Sequence, residues 1–470
     1  MRALWTGAAA AAALAFPALA SRAALSTMRM PLNYNEGWNA YHALSVAQGR
    51  ALYPPADALL PNNYPPLSFH LVAGVGRLTG DLIFAGRIVA WAAFALVVAG
   101  VWLAAAGLAR SRAAGALAAA LFAAMMGAFY GRYVGIDDPQ MLGHALMTLA
   151  LALCVRRWES NRALAGAMLL ALAAGLVKHN LIAFPLALAL TALISSPRRG
   201  ATLVAGGAGL AALAMVLLRL GYGPAIFRSL LAPRGYSAYD ALASARLHLV
   251  PQAMLLGCAV AALRTWSRRG PELLLVLYAL VSVVIGVPLA GGAGVRENIW
   301  FDALIAGCIV AAVLAARALG AARSEESHRL ASALPLALCI PPLIGLLPLA
   351  ADLKWRWIDG EAKAAVAATR QDTRLIRATP GDAICESLAL CYWAGKPGTV
   401  DLFNSQQAFR TGRLDRERLL EPIRAGHYGV IQLVAGSTGG ERWDESLHQA
   451  VEGRYRTAAT SVNGIFYAPR

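Results

Sequence analysis

The chain has 470 residues, 58% hydrophobic and only 14% charged, with a mean hydropathy of +0.53. A soluble chain carries about a quarter charged residues, so this balance excludes an ordinary soluble enzyme and points to a membrane protein. The net charge of +16 is not a nucleic-acid signature, because the arginines gather in short clusters between apolar runs, as cytoplasmic loops require.

A helix needs about 20 mostly apolar residues to cross a bilayer. In chain order the runs are 4–24, 82–108, 113–130, 139–155, 163–178, 180–195, 201–220, 249–264, 272–290, 298–316 and 331–350. With Met1 in the cytoplasm, five basic clusters fall on the cytoplasmic side: Arg110 and Arg112; Arg156, Arg157 and Arg162; Arg198 and Arg199; Arg264, Arg268 and Arg269; Arg317, Arg323 and Arg329. The loops 25–81, 131–138, 178–180, 221–248 and 291–297 then emerge on the other face, together with the C-terminal part. The expected fold is an all-α polytopic membrane bundle of about 11 transmembrane helices, residues 1–350 with the outer loop 25–81. A small extracytoplasmic α/β domain, residues 351–470, follows it. The first run also fits a cleavable signal peptide, with Ala18-Leu19-Ala20 before Ser21.

The last 120 residues hold 30 of the 68 charged side chains, an ordinary soluble composition. Helices are expected over 358–377 and 415–425, and strands over 383–385, 428–434 and 464–468. Cys385 and Cys391 lie six residues apart and can pair in an oxidising compartment.

Only 12 acidic residues precede position 351, and eight of them (Glu36, Asp57, Asp81, Asp137, Asp138, Asp240, Glu297 and Asp302) fall in outer loops or at outer span ends. Acids contribute little to topology, so this collection calls for another reason. Trp38, Tyr41, Leu44 and Ala47 recur at three-residue spacing, which predicts a short helix from Glu36 to Gly49. Glu36 there is either a helix-start anion or a functional carboxylate. Asn63-Tyr64-Pro65-Pro66-Leu67 is a rigid turn into a further apolar stretch at 67–79. Asp137 and Asp138 before Pro139 are either N-capping groups or a pair for metal or proton work. Lys178-His179-Asn180 is a tight turn or a cation placed for phosphate, and Arg87 snorkels or serves a site.

These residues together resemble the GT-C superfamily of membrane glycosyltransferases, which includes the protein O-mannosyltransferases and the lipid A aminoarabinose transferases. The resemblance rests on six motifs in order: Asn35-Glu36-Gly37-Trp38-Asn39-Ala40-Tyr41; Asn63 to Leu67; Arg87; Asp137-Asp138-Pro139-Gln140-Met141; Gly175-Leu176-Val177-Lys178-His179-Asn180; and Asn298-Ile299-Trp300-Phe301-Asp302. It covers residues 1 to about 320 and implies a retained first span rather than a cleaved one. Asn35 stands where the superfamily often has an acid.

The resemblance implies transfer of a sugar from a polyprenyl-phosphate lipid to an extracytoplasmic acceptor, with inversion, at the bacterial inner membrane. Glu36, Asp137 and Asp138 are the expected catalytic residues, with Glu36 as base. Lys178, Arg296 and Arg87 are expected at the donor phosphate, and Tyr41, His42, Asn63, Tyr64 and His179 at acceptor or substrate. A divalent cation, Mg²⁺ or Mn²⁺, held by Asp137 and Asp138 is the one cofactor considered. The partners are then the donor lipid, the acceptor and the bilayer, without nucleic acid, and no Gly-rich phosphate loop suggests a nucleotide. The alternatives are a lipid or glycan transporter or flippase, and a non-catalytic envelope protein.

Overall fold

The computed structural model describes residues 1–434 and 445–470. The chain starts with α1 (Arg2–Ser26), then the outer-loop helices α2 (Asn35–Ala47) and α3 (Leu67–Thr79). The bundle continues through α4 (Leu82–Ala109), α5 (Arg112–Phe129), α6 (Gln140–Arg157), α7 (Asn161–Val177), α8 (Ala183–Ser195) and α9 (Pro197–Tyr222). After α10 (Ala225–Leu230) and α11 (Ala238–Leu249) come α12 (Ala253–Thr265), α13 (Gly270–Leu289), α14 (Phe301–Ala321), α15 (Glu325–Ala337) and α16 (Ile340–Leu353).

This is a multi-pass membrane protein. Among the described residues, seven helical segments are long and apolar enough to cross a bilayer, or eight if α11 and α12, bent by 85° at their junction, form one broken span. The structure does not establish the expected count of eleven. The runs 163–178 and 180–195 fold as α7 and α8, of 17 and 13 residues, the latter well short of the roughly 20 that a full crossing takes. The run 249–264 is one arm of the bent pair, and the loop 221–248 is largely helical. The short outer helix α2 forms where its periodicity predicts it, and the apolar stretch 67–79 folds as α3.

The bundle core is packed with small residues. Ala93, Val97, Val101, Ala104, Leu117, Leu121, Phe122, Ala150, Leu151, Leu304 and Ile309 belong to one continuous buried cluster. Alanines let helix backbones approach closely, which favours association where lipid offers no hydrophobic drive.

Beyond the bundle, α17 (Glu361–Ala378), α18 (Leu388–Ala394), α19 (Leu402–Arg410), α20 (Glu417–Arg424) and α21 (Glu445–Arg454) surround a four-stranded sheet. Its strands are β1 (Asp382–Cys385), β2 (Tyr428–Leu433), β3 (Tyr455–Ser461) and β4 (Gly464–Pro469), in the order β1-β2-β4-β3. The pair β1–β2 is parallel and the others are antiparallel. Three strands match expectation; β3, polar and mostly exposed, does not read as a strand. Cys385 and Cys391 form a disulfide.

The tail is fastened to the outer loops. Asp81 caps α4 by accepting from the Ile83 and Phe84 amides, and its second oxygen accepts from Trp393 Nε1 at 2.9 Å. The Tyr392 hydroxyl accepts from the Leu82 amide at 2.9 Å. Helix α18 rests on α2 so closely that a Cβ at Gly37 would lie 2.0 Å from the Ala389 nitrogen. Gly37→Ala must therefore push α18 off α2. We expect it to lower stability by about 1–3 kcal/mol, the usual cost of overpacking, and to raise protease sensitivity of the tail. Wild-type melting and protease resistance for this variant would refute the contact.

Candidate active site

The site is built where the N-terminal ends of α4, α6 and α14 meet the loops of one membrane face. Its foundation is an ion pair. Glu36, 0% exposed, accepts from Arg87 Nε at 2.7 Å and Nη2 at 2.8 Å, and also from the Leu32 amide at 2.8 Å and the Asp137 amide at 3.3 Å. Arg87, 1% exposed, donates its remaining protons to the carbonyls of Ser26, Met28 and Met30. All five guanidinium donors are thereby used. Arg87 was expected to bind donor phosphate; it has no donor left to offer one and lies beneath the site.

Asp137 also lies beneath. Its side chain presses on α4, where a Cβ at Gly86 would come within 2.0 Å of Oδ1, and Oδ2 has no hydrogen-bond partner among the described residues. Burial, then neighbouring Glu36 and Asp138, push its carboxyl well above the ordinary range.

Asp138 is the turning point toward the surface. Its Oδ1 accepts from the Gln140 amide at 2.8 Å and faces Lys178 Nζ at 3.5 Å; its Oδ2 accepts from Asn35 Nδ2 at 3.2 Å. Burial, the largest influence, pulls the Lys178 ammonium down, but Asp138 and Tyr64 together outweigh it, and the net displacement is upward. Lys178 thus stays charged, 4.9 Å from the Tyr64 ring centre. Gln140 exchanges hydrogen bonds with Asn298 (Asn298 Nδ2 to Gln140 Oε1, 3.1 Å), tying the second acidic loop to the last outer loop.

Two adjoining clefts open above this cluster. One, of about 190 Å³, is lined by Asn35, Tyr64, Lys178, His179, Arg234 and Asn298, with Asn63 at its edge. The other, of about 380 Å³, is lined by Tyr34, Asn35, Arg132, Arg296, Glu297 and Phe403. Asn35, Tyr133 and Gly294 line both, so the clefts meet there. His179 is pushed down to about 4 by burial, then by Arg234 and Lys178, and stays neutral in a positive field. Glu297, the one carboxylate lining either cleft among the described residues, pairs with Arg132 Nε at 3.1 Å.

Of the expected site residues, Lys178, His179, Asn63, Tyr64 and Arg296 line a cleft, and Asp138 touches the wall from behind. Tyr41 and His42 do not. The Tyr41 hydroxyl donates to the Lys396 carbonyl at 2.8 Å, so this residue docks the tail. His42 is wedged between Trp38 and Phe69, with centroids 4.4 and 5.5 Å away. Sequence reasoning passed over Arg132, Arg234, Glu297, Asn298 and Phe403 as individual site residues. It had placed Glu297 among the outward-facing acids and Asn298 in the last-loop motif, the signals that lead to both.

The donors do not suit a divalent cation. Among the described residues no three His, Cys, Asp or Glu converge at ligand spacing. Lys178 and the Asn35 amide already occupy the Asp138 oxygens, and Asp137 points away toward α4.

Residues 63–221 match the family model described as dolichyl-phosphate-mannose-protein mannosyltransferase. No curated protein matches in sequence. Across 98% of this chain the structure is similar to ArnT from Cupriavidus metallidurans bound to undecaprenyl phosphate, with a TM-score of 0.58, 16% identity and 97% of that chain covered. The apo oligosaccharyltransferase of Archaeoglobus fulgidus is similar over 86% of this chain and 65% of its own, with a TM-score of 0.53 and 12% identity. The chain has the GT-C fold. The resemblance read from the six motifs therefore holds at the level of fold, and the GT-C bundle here carries its outer-loop helices and its tail on one face.

Two outcomes are expected. Arg87→Ala leaves a buried carboxylate unpaired and should cost about 3–5 kcal/mol, and Arg87→Lys should not restore it, because an ammonium cannot span the same five acceptors; thermal unfolding in detergent checks both. Burial pushes His42 down to about 3, so the unfolded chain takes up a proton that the fold refuses. Stability from this residue is present above about pH 6.5, the free histidine value, and is lost as the pH falls toward 3. His42→Phe should flatten the melting profile between pH 6.5 and 4.

Proposed function

We propose that this protein is an inverting glycosyltransferase that moves a sugar from a polyprenyl-phosphate donor to a hydroxyl-bearing acceptor outside the cytoplasm. One observation carries the reading: two basic clefts share a wall at Asn35 and Tyr133, and of the two only the larger has a carboxylate. The smaller has Lys178 and Arg234 at its walls and suits a phosphate. The larger sets Glu297 beside Arg132 and Arg296 and suits an acceptor whose proton must be removed. The ArnT relative was solved with undecaprenyl phosphate bound, which agrees with a lipid phosphate as the leaving group.

In this reading the acceptor oxygen attacks the anomeric carbon as the bond from that carbon to the phosphate oxygen breaks. The proton passes to Glu297, or to Asp138 behind Asn35, and the phosphate leaves against Lys178 and Arg234. Fixed cations stabilise the developing charge without reorganising, because their positions are already set. Glu36 is reassigned from base to support: it lines neither cleft, and Arg87 and two backbone amides hold its oxygens. Asn35 has a chemical part as well. An acid there would set a second negative charge about 3 Å from Asp138, whereas the amide donates to it.

We assign the clefts to the extracytoplasmic side of a bacterial inner membrane, with residues 351–470 as a separate domain on that side. The Cys385–Cys391 disulfide supports an oxidising surrounding, and the basic clusters lie at the other ends of the helices.

The test is a transfer assay with a polyprenyl-phosphate sugar in proteoliposomes. Glu297→Gln or Asp138→Asn should lower turnover by about 10²–10⁴, the usual worth of a general base, with the protein folded. Lys178→Ala should weaken donor binding. Glu36→Gln should instead lower the melting temperature. Wild-type turnover in both Glu297→Gln and Asp138→Asn would overturn the assignment, and a Glu36→Gln protein that melts normally but does not transfer would return the base to Glu36.

A further inference from the structure

A further cavity lies at the opposite end of the bundle from these clefts. It encloses about 830 Å³ where α6 ends, α7 begins, α8 ends, and α9 and α13 begin. Arg156, Arg157, Arg199 and Arg269 line it, with Trp158 and one acid, Glu159. Glu159 is 92% exposed in its side chain and reaches only Arg199, at 3.5 Å. Arg199 is fixed from within by Asn161 Oδ1 at 2.7 Å and the Trp158 carbonyl. The guanidinium groups of Arg156, Arg157 and Arg269, all exposed, form no hydrogen bond or ion pair among the described residues, and the one acid lining the cavity pairs with Arg199.

The cavity continues into a groove. Between α7 and α9 a depression of about 480 Å³ is lined by Leu164, Ala165, Met168, Leu203, Gly206 and Leu210, and it shares Leu164 and Arg199 with the cavity. Helix α9 buries only 11% of its most apolar stretch in the protein, so the groove faces lipid. Small residues make the depression: a Cβ at Gly207 would already press on Met168 Sδ at 3.1 Å.

Arginines at a membrane face orient the protein in the bilayer, but that task asks only for charge near the surface. It requires neither a cavity converging four guanidinium groups nor an apolar channel leading from it along the bundle. That combination is the shape of an amphiphile. We infer that this is a binding site for an anionic glycerophospholipid of the adjoining leaflet, its phosphate headgroup held by Arg156, Arg157, Arg199 and Arg269 and one acyl chain lying in the α7–α9 groove. Charge complementarity selects the headgroup, and a cavity much larger than one phosphate fits a glycerol-substituted one.

The experiment is native mass spectrometry of the full chain in detergent with phosphatidylglycerol or phosphatidylcholine of equal chain length. Phosphatidylglycerol should be retained preferentially. The triple substitution R156Q/R157Q/R269Q should weaken it about a hundredfold or more, on the usual contribution of each basic residue at a membrane surface. Gly207→Leu, which narrows the groove, should weaken it with the arginines intact, and carries the test alone if the triple variant melts early. Equal retention of both lipids, unchanged retention in either variant, or displacement of phosphatidylglycerol by soluble glycerol phosphate at matching concentration would overturn the site. None of these readouts depends on sugar transfer.

Discussion

The buried pair of Arg87 and Glu36 fixes everything above it. Two charges taken out of water cost several kcal/mol each, and such a pair holds only when every donor and acceptor is met. Here the condition is fulfilled: Arg87 satisfies three carbonyls of the turn after α1 as well as Glu36, and Glu36 also accepts from two amides. One side chain in the second turn of α4 thereby holds the end of α1, the start of α2 and the second acidic loop at one point. An apolar core could supply comparable stability, but it would not dictate the angle at which α2 leaves the membrane surface. That angle is what brings Asn35 to Asp138.

From this platform the charge arrangement above it follows. Asp138 is held on three sides, and it in turn keeps Lys178 protonated at the wall of the smaller cleft. The tail closes the construction from the solvent side. Asp401, fully buried at the start of α19, accepts from the Tyr34 hydroxyl at 2.5 Å, and Asn404 accepts from Asn63 Nδ2 at 3.0 Å. Phe403 between them lines the larger cleft. Covering a charged cleft with protein lowers the local dielectric, and each fixed charge then acts more strongly on whatever enters. The tail is thus part of the cleft wall as well as a lid on the loops.

Much of this was legible in the sequence because it depends on local pattern. Hydropathy located the helices of the bundle, and three-residue spacing located α2. The number of crossings was not legible, since α7 and α8 are too short to be judged by length and the bend between α11 and α12 has no composition of its own. The site was half legible. Lys178, Asn63, Tyr64 and Arg296 could be found because polar residues in apolar surroundings stand out. The clamp on Glu36 was not legible because its partner Arg87 is 51 residues away, and nothing local distinguishes a clamped carboxylate from a free one. Phe403 belongs to the cleft only because the tail folds back over the loops, a contact that no periodicity encodes. Tyr41 and His42 illustrate the converse: expected site residues that face the tail and an aromatic cage.

The two membrane faces use the same basic residues to different ends. On the cleft face positive charge is set against acids, Lys178 against Asp138 and Arg132 against Glu297, which holds each cation at a defined position. A cation so held can stabilise charge that appears only during reaction, since its geometry does not have to be assembled at that moment. On the other face Arg156, Arg157 and Arg269 line their cavity without such partners, and their charge is available to a standing anion. On the proposed reading one end handles a transient phosphate and the other rests among lipid phosphates, and those tasks must not compete. With α6 running between them, at 18 residues about 27 Å long, the two basic sites are kept apart at opposite ends of the bundle.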